Sequence, residues 1–185
     1  MSKTSLKQDW FDDTMNEAIK KIKVLVCDVD GVLTDAKITL DSRGQEIKSF
    51  DIYDGFALVL AKRVGIKTAF LTGRYSKVVN VRAKGLKIDK VYQNADPKIG
   101  AYQKLLRYFK VKDENVCFIG DDLIDLQILK RVGFAVCVAN ACQEAKKEAD
   151  YITLRKGGEG AVREVVELIL KAQGKWQKVI ERYAC

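Results

Sequence analysis

Polar side chains follow several short apolar runs of this sequence, and their types suit chemistry at a phosphate group. Asp28 and Asp30 come directly after the first run, Thr72 follows the second, Lys98 the third and Asp121 the fourth. If the runs are parallel strands, their carboxyl ends meet at one edge of a sheet. Clustered carboxylates repel one another unless a cation neutralises them, and an all-oxygen ligand set suits Mg²⁺. With no histidine in the chain to ligate zinc or build a triad, we predict a magnesium-dependent phosphate site.

Each of these side chains has a distinct role open to it in breaking a phosphate ester. Asp28 could attack phosphorus and form an aspartyl-phosphate. Asp30 could act as general acid and then as general base. The Thr72 hydroxyl and the Lys98 ammonium could donate to phosphate oxygens, and Asp121 would complete the metal site. The structural alternative is that the acidic residues only cap a strand and a helix; the ordered occurrence of all the elements disfavours it.

The elements that must position these residues alternate between strand and helix. The apolar runs predict strands at 24–27, 68–71, 90–92, 116–119 and 134–138. Helices are predicted to begin near Gly55, after Arg74, at Pro97 and at Leu123. This alternation is typical of an α/β fold. We therefore predict a single Rossmann-like domain over residues 1–185, with a central parallel sheet, helices on both faces, a β-hairpin flap at 36–50 and no cap domain.

Composition favours a soluble globular protein, with 48% hydrophobic and 31% charged residues. The chain has neither a secretory signal pattern nor a membrane-length apolar stretch, and three of its cysteines lie in apolar runs, so we expect a reduced, cytoplasmic protein. The net charge of +8 is uneven: residues 62–112 carry fourteen basic and two acidic side chains, whereas 24–61 and 113–154 are each net −4. This predicts an acidic metal cradle beside a basic rim that attracts anions; a solvated basic surface is the alternative.

Four motifs resemble the signatures of the haloacid dehalogenase-like phosphohydrolases. They are Asp-Val-Asp-Gly-Val from position 28, Leu-Thr-Gly-Arg from 71, Lys98, and Gly-Asp-Asp-x-x-Asp from 120. The resemblance implies that Asp28 is the nucleophile, that Asp30 is the acid–base and also reaches the metal through its backbone carbonyl, and that Thr72 and Lys98 clamp the phosphate. It implies Asp121 as a metal ligand, with Asp122 and Asp125 behind it; helix capping is the alternative for those two.

The motif spacing leaves no room for a lid domain. Asp28 and Thr72 are 44 residues apart, and Thr72 and Lys98 are 26 apart. These gaps accommodate the hairpin, two helices and one strand. A site without a lid leaves its intermediate open to water, so we expect either a large substrate or cover from another subunit.

Three further stretches resemble the phosphatases of 3-deoxy-D-manno-octulosonate 8-phosphate, which belong to lipopolysaccharide sugar biosynthesis. They begin at Asp28 (DVDGVLTD), Phe50 (FDIYDG) and Gly157 (GGEGAVRE). Two departures concern the α-helix after Gly55, where Val59 replaces an expected basic residue, and the lead-in to Lys98. The resemblance implies Mg²⁺ and a small sugar-acid phosphate as substrate, bound by nine residues. The implied contacts are Asp30, Asp51, Ile52, Tyr53, Asp54, Gly55, Arg74, Arg82 and Lys98.

The same resemblance implies a homotetramer in which the C-terminal tail, residues 174–185, closes a neighbour's site. Packing of the tail onto its own domain is the alternative. Residues 1–20 are an N-terminal extension without an assigned role. The competing functions are a phosphatase of a nine-carbon sialate-type 9-phosphate, a polynucleotide 3′-phosphatase suggested by the basic segment, and a non-catalytic assembly subunit. No nucleic-acid motif and no membrane segment supports partners of those kinds.

Overall fold

A parallel six-stranded sheet forms the centre of this computed structural model, which describes residues 13–184. The strands are β1 (Val24–Cys27), β2 (Thr39–Leu40), β3 (Glu46–Ile47), β4 (Lys67–Leu71), β5 (Lys90–Tyr92), β6 (Val116–Gly120), β7 (Phe134–Cys137) and β8 (Tyr151–Ile152). The order across the sheet is β5-β4-β1-β6-β7-β8, and all its pairings are parallel. β2 and β3 form a separate antiparallel pair, the flap.

The helices cover both faces of the sheet, which confirms the predicted α/β fold. They are α1 (Asp13–Lys20), α2 (Ile52–Arg63), α3 (Lys77–Gly85), α4 (Lys98–Phe109), α5 (Leu126–Leu129), α6 (Gln143–Lys146), α7 (Ala161–Ala172) and α8 (Trp176–Ala184), with 3₁₀ turns at Asp113–Asn115 and Leu123–Asp125. α2 packs against α7, which also contacts α1 and α8, whereas α4 packs against α5 and α5 against α6. Within the described residues, no helix is long and apolar enough to cross a membrane.

The central strand β1 decides where the polar strand ends meet. All four of its residues are apolar and buried, as expected for a strand with neighbours on both edges and helices on both faces. It pairs with β4 on one side and β6 on the other, so that Cys27 lies opposite Phe70 and Ile119. The residues after β1, β4 and β6 therefore emerge side by side. This is the adjacency that convergence of the predicted site requires.

Two predicted helices differ from those in the structure, and one strand was not predicted. α2 begins at Ile52 and not near Gly55, because the Asp51 carboxylate accepts a hydrogen bond from the Asp54 amide at 2.9 Å and caps the helix there. The helix predicted to begin at Leu123 is divided into a 3₁₀ turn at Leu123–Asp125 and α5, which ends at Leu129. β8 was not predicted, since a two-residue edge strand has too few residues to display a periodicity.

The flap and the C-terminal tail both form regular structure. The flap (residues 36–50) is a hairpin as predicted, with Thr39 opposite Ile47. The tail forms α8 and contacts its own domain: the Tyr183 ring lies 5.7 Å from that of Phe56, and Arg63 donates a hydrogen bond to the Tyr183 hydroxyl. Its insertion at a neighbouring site stays a prediction. Of the N-terminal extension, residues 13–20 form α1 and 1–12 lie outside the described residues.

Candidate active site

Three carboxylates converge beyond the ends of β1 and β6. Asp28, Asp121 and Asp125, here called the carboxylate cluster, each offer one oxygen within 4.8 Å of the others. The loop after β1 passes close to them because Gly31 has a φ of +97°, and a Cβ at this position would fall well inside van der Waals contact of the Asp121 carboxylate. Glycine is thus required here both by conformation and by space.

A buried lysine joins two members of the cluster. Lys98 is the first residue of α4, and its side chain is only 1% exposed. Its ammonium lies 2.9 Å from Asp28 Oδ1 and 2.7 Å from Asp125 Oδ1. Asp125 also accepts a hydrogen bond from the Asp121 amide at 3.0 Å. Asp125 therefore orients both the lysine and the loop that carries Asp121, as a residue behind the metal ligands would.

The helix-capping alternative applies to Asp122. This residue is exposed, and its Oδ1 accepts a hydrogen bond from the Leu123 amide at 2.8 Å at the start of the 3₁₀ turn. It contributes no oxygen to the carboxylate cluster. Its structural role is to begin the turn that places Asp125.

The electrostatics of the cluster favour a bound cation. Burial raises the pKa of Asp28 to about 6, with Lys98 opposing the shift and Asp125 adding to it. Burial, followed by the charges of Asp28 and Asp125, raises the pKa of Asp121 to about 8. Asp121 Oδ1 is buried and accepts no hydrogen bond from the described part of the chain, and Asp28 Oδ1 is buried with the Lys98 ammonium 2.9 Å away. A divalent cation held by these oxygens would relieve both the repulsion and the missing contacts, so the residues present fit Mg²⁺.

Asp30 and Thr72 lie beside the cluster and contact each other. The buried Thr72 hydroxyl donates to Asp30 Oδ2 at 3.4 Å. The Arg74 guanidinium lies 3.9 Å from Asp30 Oδ1 and 3.1 Å from Glu46 Oε1 of the flap. Lys48 of the flap donates to Asp30 Oδ1. The structure thus brings together the predicted residues at the ends of β1 and β4 and adds two from the flap.

Sequence reasoning missed the flap residues Glu46 and Lys48. A signal was available, because residues two apart in a strand point to the same face. These two opposite charges therefore share one face of the predicted hairpin. The sequence does not indicate which part of the protein that face contacts, because the ion pairs that place the hairpin against the site join residues far apart in the chain.

The substrate contacts predicted at 51–55 divide into exposed and internal residues. Ile52 and Tyr53 are exposed at the start of α2, at 74% and 63%. Asp51 caps the helix. Asp54 is buried, and its Oδ1 accepts a hydrogen bond from the Arg163 amide at 2.7 Å in the first turn of α7. Burial raises the pKa of Asp54 to about 6, although hydrogen bonds from α7 oppose the shift.

Arg82 of α3 is engaged inside the protein. Its guanidinium donates to the Asp51 carbonyl at 3.1 Å and lies 5.5 Å from the centre of the Phe50 ring. Gly55 makes room for it, because a Cβ there would overlap the guanidinium. Arg82 holds the junction between the flap and α2 in this structure, and its predicted contact with substrate stays a prediction.

The glycine-rich stretch before α7 supports the loop that follows Asp28. Gly158 donates its amide to the Val32 carbonyl at 2.9 Å. A Cβ on Gly157 would overlap the carbonyl oxygen of Gly31. The amide of Gly157 donates to Asn140 Oδ1 at 2.8 Å. The two backbones can therefore pack directly, which explains the paired glycines in structural terms.

This chain is similar in sequence to known hydrolases. The profile of the haloacid dehalogenase-like hydrolases matches residues 66–165. The 3-deoxy-D-manno-octulosonate 8-phosphate phosphatase KdsC of Escherichia coli strain B is 42% identical over 163 residues, covering 88% of this chain and 86% of the relative. That of Yersinia pestis is also 42% identical, over 164 residues, covering 89% and 87%.

Solved structures are also similar to this chain. The 3-deoxy-D-manno-octulosonate 8-phosphate phosphatase of Moraxella catarrhalis, in complex with magnesium, phosphate and KDO, superposes with a TM-score of 0.91 at 40% identity over 94% of this chain and 99% of that one. A hypothetical protein of Xanthomonas campestris superposes with a TM-score of 0.92 at 32% identity over the full length of both chains.

Proposed function

This chain belongs to the haloacid dehalogenase-like hydrolase family, and from that premise we propose that it is an Mg²⁺-dependent phosphatase of 3-deoxy-D-manno-octulosonate 8-phosphate. The observation that carries the proposal is the contact of the buried Lys98 with Asp28 inside a carboxylate cluster in which the buried Asp121 Oδ1 accepts no hydrogen bond from the described part of the chain. Such a cluster is costly to the fold unless it binds a cation and an anionic group. The proposed substrate is the one in the names of the similar proteins.

Phosphate transfer takes place in two steps, the formation and the hydrolysis of an aspartyl-phosphate. Asp28 attacks phosphorus, the bond from phosphorus to the sugar oxygen breaks, and Asp30 gives its proton to the leaving alkoxide. Asp30 then takes a proton from the water that attacks the aspartyl-phosphate, which releases inorganic phosphate and restores Asp28. Mg²⁺, held by the carboxylates of Asp28 and Asp121 and the backbone carbonyl of Asp30, would neutralise charge on the phosphoryl oxygens.

Lys98 and Thr72 bind the phosphoryl group in this proposal. Burial alone would lower the pKa of Lys98, but the charges of Asp28 and Asp125 outweigh it and raise that pKa above its ordinary value. The ammonium therefore stays protonated at neutral pH and can serve both the nucleophile and a phosphate oxygen. The Thr72 hydroxyl, at the end of β4, can turn from Asp30 to a phosphate oxygen.

Arg74 is the proposed partner of the sugar carboxylate. Its side chain is 47% exposed at the rim of the site and points to Asp30. A guanidinium matches the two oxygens of a carboxylate. Ile52 and Tyr53, exposed at the start of α2, are proposed to contact the sugar, and Asp51, Asp54, Gly55 and Arg82 to hold that surface in place.

We also propose a cytoplasmic homotetramer whose tail, residues 174–185, contacts a neighbouring site. Buried thiols at Cys27, Cys117 and Cys137 suit a reducing compartment. Light scattering of the purified protein measures its mass in solution. Deletion of 175–185 should reduce turnover if the tail completes a neighbour's site, and unchanged turnover and affinity would contradict that role.

The test of the function is phosphate release with Mg²⁺ from a panel of substrates. The panel contains 3-deoxy-D-manno-octulosonate 8-phosphate, a sialate 9-phosphate, a hexose phosphate and a 3′-phosphorylated oligonucleotide, with EDTA and Asp28→Asn as blanks. A strong preference for the eight-carbon acid, lost in both blanks, is expected. Preference for the nine-carbon acid or the oligonucleotide would replace the substrate, and inactivity on all four would favour a non-catalytic subunit.

A further inference from the structure

The flap brings a buried cation to the acid–base residue. Lys48 follows β3, and its side chain is only 1% exposed. Its ammonium donates to Asp30 Oδ1 and lies 3.2 Å from Glu46 Oε1. Neither flap residue has a part in the phosphate transfer described above. A fully buried ammonium nevertheless requires a compensating contact, and one of the two it makes is with the group that must deliver a proton.

We propose that Lys48 is a positioning residue for Asp30: its ammonium fixes the Asp30 carboxyl in the orientation from which the proton reaches the leaving oxygen. The inference rests on the proposed phosphatase function. It assigns to the flap a part in the proton-transfer step, in addition to any contact that the flap makes with substrate.

The contacts of Asp30 make Lys48 its principal hold. The Thr72 hydroxyl is 3.4 Å from Oδ2, near the limit for an O–H···O hydrogen bond, and the Arg74 guanidinium is 3.9 Å from Oδ1. The Lys48 ammonium is the nearest of the three donors. Because the Lys48 side chain has almost no access to solvent, its ammonium cannot replace the hydrogen bond to Asp30 by one to water. The surrounding protein therefore fixes the geometry of the pair.

Glu46 ties the same hairpin to the rim of the site. It lies 3.2 Å from Lys48 and 3.1 Å from Arg74. Burial alone would raise the pKa of Glu46, but these two cations contribute to holding it below its ordinary value. A hairpin with two residues in each strand is only marginally stable by itself, so these ion pairs place the flap on the site. The position of the flap and the orientation of Asp30 are thereby linked.

The proton-transfer step distinguishes a positioning role from a purely structural one. With a sugar phosphate, the bond from Asp28 to phosphorus forms, the bond from phosphorus to the alkoxide breaks, and the alkoxide takes the proton of Asp30. With p-nitrophenyl phosphate, the same bonds form and break, but the stabilised phenolate leaves without a proton. Displacing Asp30 therefore slows formation of the aspartyl-phosphate selectively with the sugar phosphate, whereas its later role as general base in hydrolysis of the aspartyl-phosphate is common to both esters.

The experiment compares Lys48→Met with Lys37→Met, a matched control on the same hairpin whose side chain is 79% exposed. The first step is measured in single-turnover reactions, as the rate at which the sugar or p-nitrophenol is released, for p-nitrophenyl phosphate and for the sugar phosphate of the panel with the highest turnover. For Lys48→Met we expect the single-turnover rate of release of the sugar to fall by roughly 10- to 100-fold, within the range of general-acid catalysis, and that of p-nitrophenol to change by less than about threefold. Lys37→Met should change neither.

A double-mutant cycle completes the test. In an Asp30→Asn background, which has no proton to position, Lys48→Met should lower the single-turnover rate of release of the sugar no further. Equal losses on the two esters, no loss on either, or full additivity with Asp30→Asn would each overturn the inference. If Lys48→Met does not fold, Lys48→Gln replaces it: the shorter, uncharged amide holds Asp30 less firmly than the ammonium does and should cause a smaller loss in the same step. Wild-type inactivity on both esters would instead overturn the proposed phosphatase function.

Discussion

Replacing Asp121 by asparagine should stabilise the metal-free protein while removing its response to Mg²⁺. In the folded chain, burial and the charges of Asp28 and Asp125 raise the pKa of Asp121 from 3.8 to about 8. A raised pKa means that the folded state favours the protonated carboxyl. The stability that this group contributes is complete below pH 3.8 and is lost as the pH rises through about 8. Asparagine has nearly the same shape and does not ionise, so the variant avoids this loss.

The size of the effect follows from the shift. Each pKa unit corresponds to 1.36 kcal/mol, so a shift carried wholly by Asp121 would set an upper limit of about 5 kcal/mol at pH 8. Asp28 and Asp121 titrate together and share this energy, so we expect a gain on the order of 3 kcal/mol for Asp121→Asn in EDTA at pH 8. For a chain of this length, that gain corresponds to a rise in Tm of about 6–12 °C.

Thermal and urea unfolding in EDTA and in excess Mg²⁺, from pH 5 to 9, measure the effect. The wild type should gain stability from Mg²⁺ because the ion binds only the folded state, and Asp121→Asn should gain little. Asp122→Asn is the matched control: its side chain is exposed and outside the cluster, and it should behave as the wild type in both buffers. The reasoning is refuted if Asp121→Asn is no more stable than the wild type in EDTA at pH 8, or if it keeps the wild-type response to Mg²⁺.

Three further predictions concern packing, a buried carboxyl and metal affinity. Gly157→Ala should lower activity and should lower the free energy of unfolding by about 1–3 kcal/mol, because its Cβ would overlap the Gly31 carbonyl. Gly85→Ala is the control, since no atom lies within 4 Å of the added Cβ, and it should lower neither quantity. Urea unfolding and phosphate-release assays measure both variants. Asp54→Asn should raise the free energy of unfolding at pH 8 by on the order of 1–2 kcal/mol, because burial raises the pKa of Asp54 to about 6. The amide oxygen of asparagine can still accept the hydrogen bond from the Arg163 amide. Urea unfolding should show this gain at pH 8 and no gain below pH 4. The Mg²⁺ affinity measured by calorimetry should increase from pH 6 to pH 8, by up to about tenfold per pH unit for each proton displaced. The reason is that Asp28 and Asp121 hold protons in that range. An affinity that does not depend on pH would contradict the raised pKa values.

The general plan of the fold was accessible from the sequence because it depends on local patterns. Short apolar runs alternate with helical segments, and that alternation alone indicates a parallel sheet. The places where prediction was wrong are places where a tertiary or capping contact decides. Asp51 begins α2 earlier than the apolar pattern suggests, and the edge strand β8 exists because it pairs with β7.

The chemical types at the site were also determined by the sequence. A chain without histidine that carries Asp28, Asp30, Thr72, Lys98 and Asp121 at strand ends and a helix start limits the chemistry to oxygen-ligated metal and carboxylate catalysis. Their side-by-side placement follows once β1 lies between β4 and β6. That order is set by long-range pairing, which periodicity does not contain.

Only the tertiary structure decided which neighbours each of these groups has. Asp125 lies between Lys98 and the loop of Asp121, and Lys48 and Glu46 come to Asp30 and Arg74 from a hairpin whose own sequence specifies a turn and two opposite charges. The physical reason is that burial and charge proximity, which set the pKa values and the ion pairs, depend on distances in space between segments far apart in the chain. The sequence determines the chemical groups that are present, and the packing of the flap and strands decides which of them act on one another.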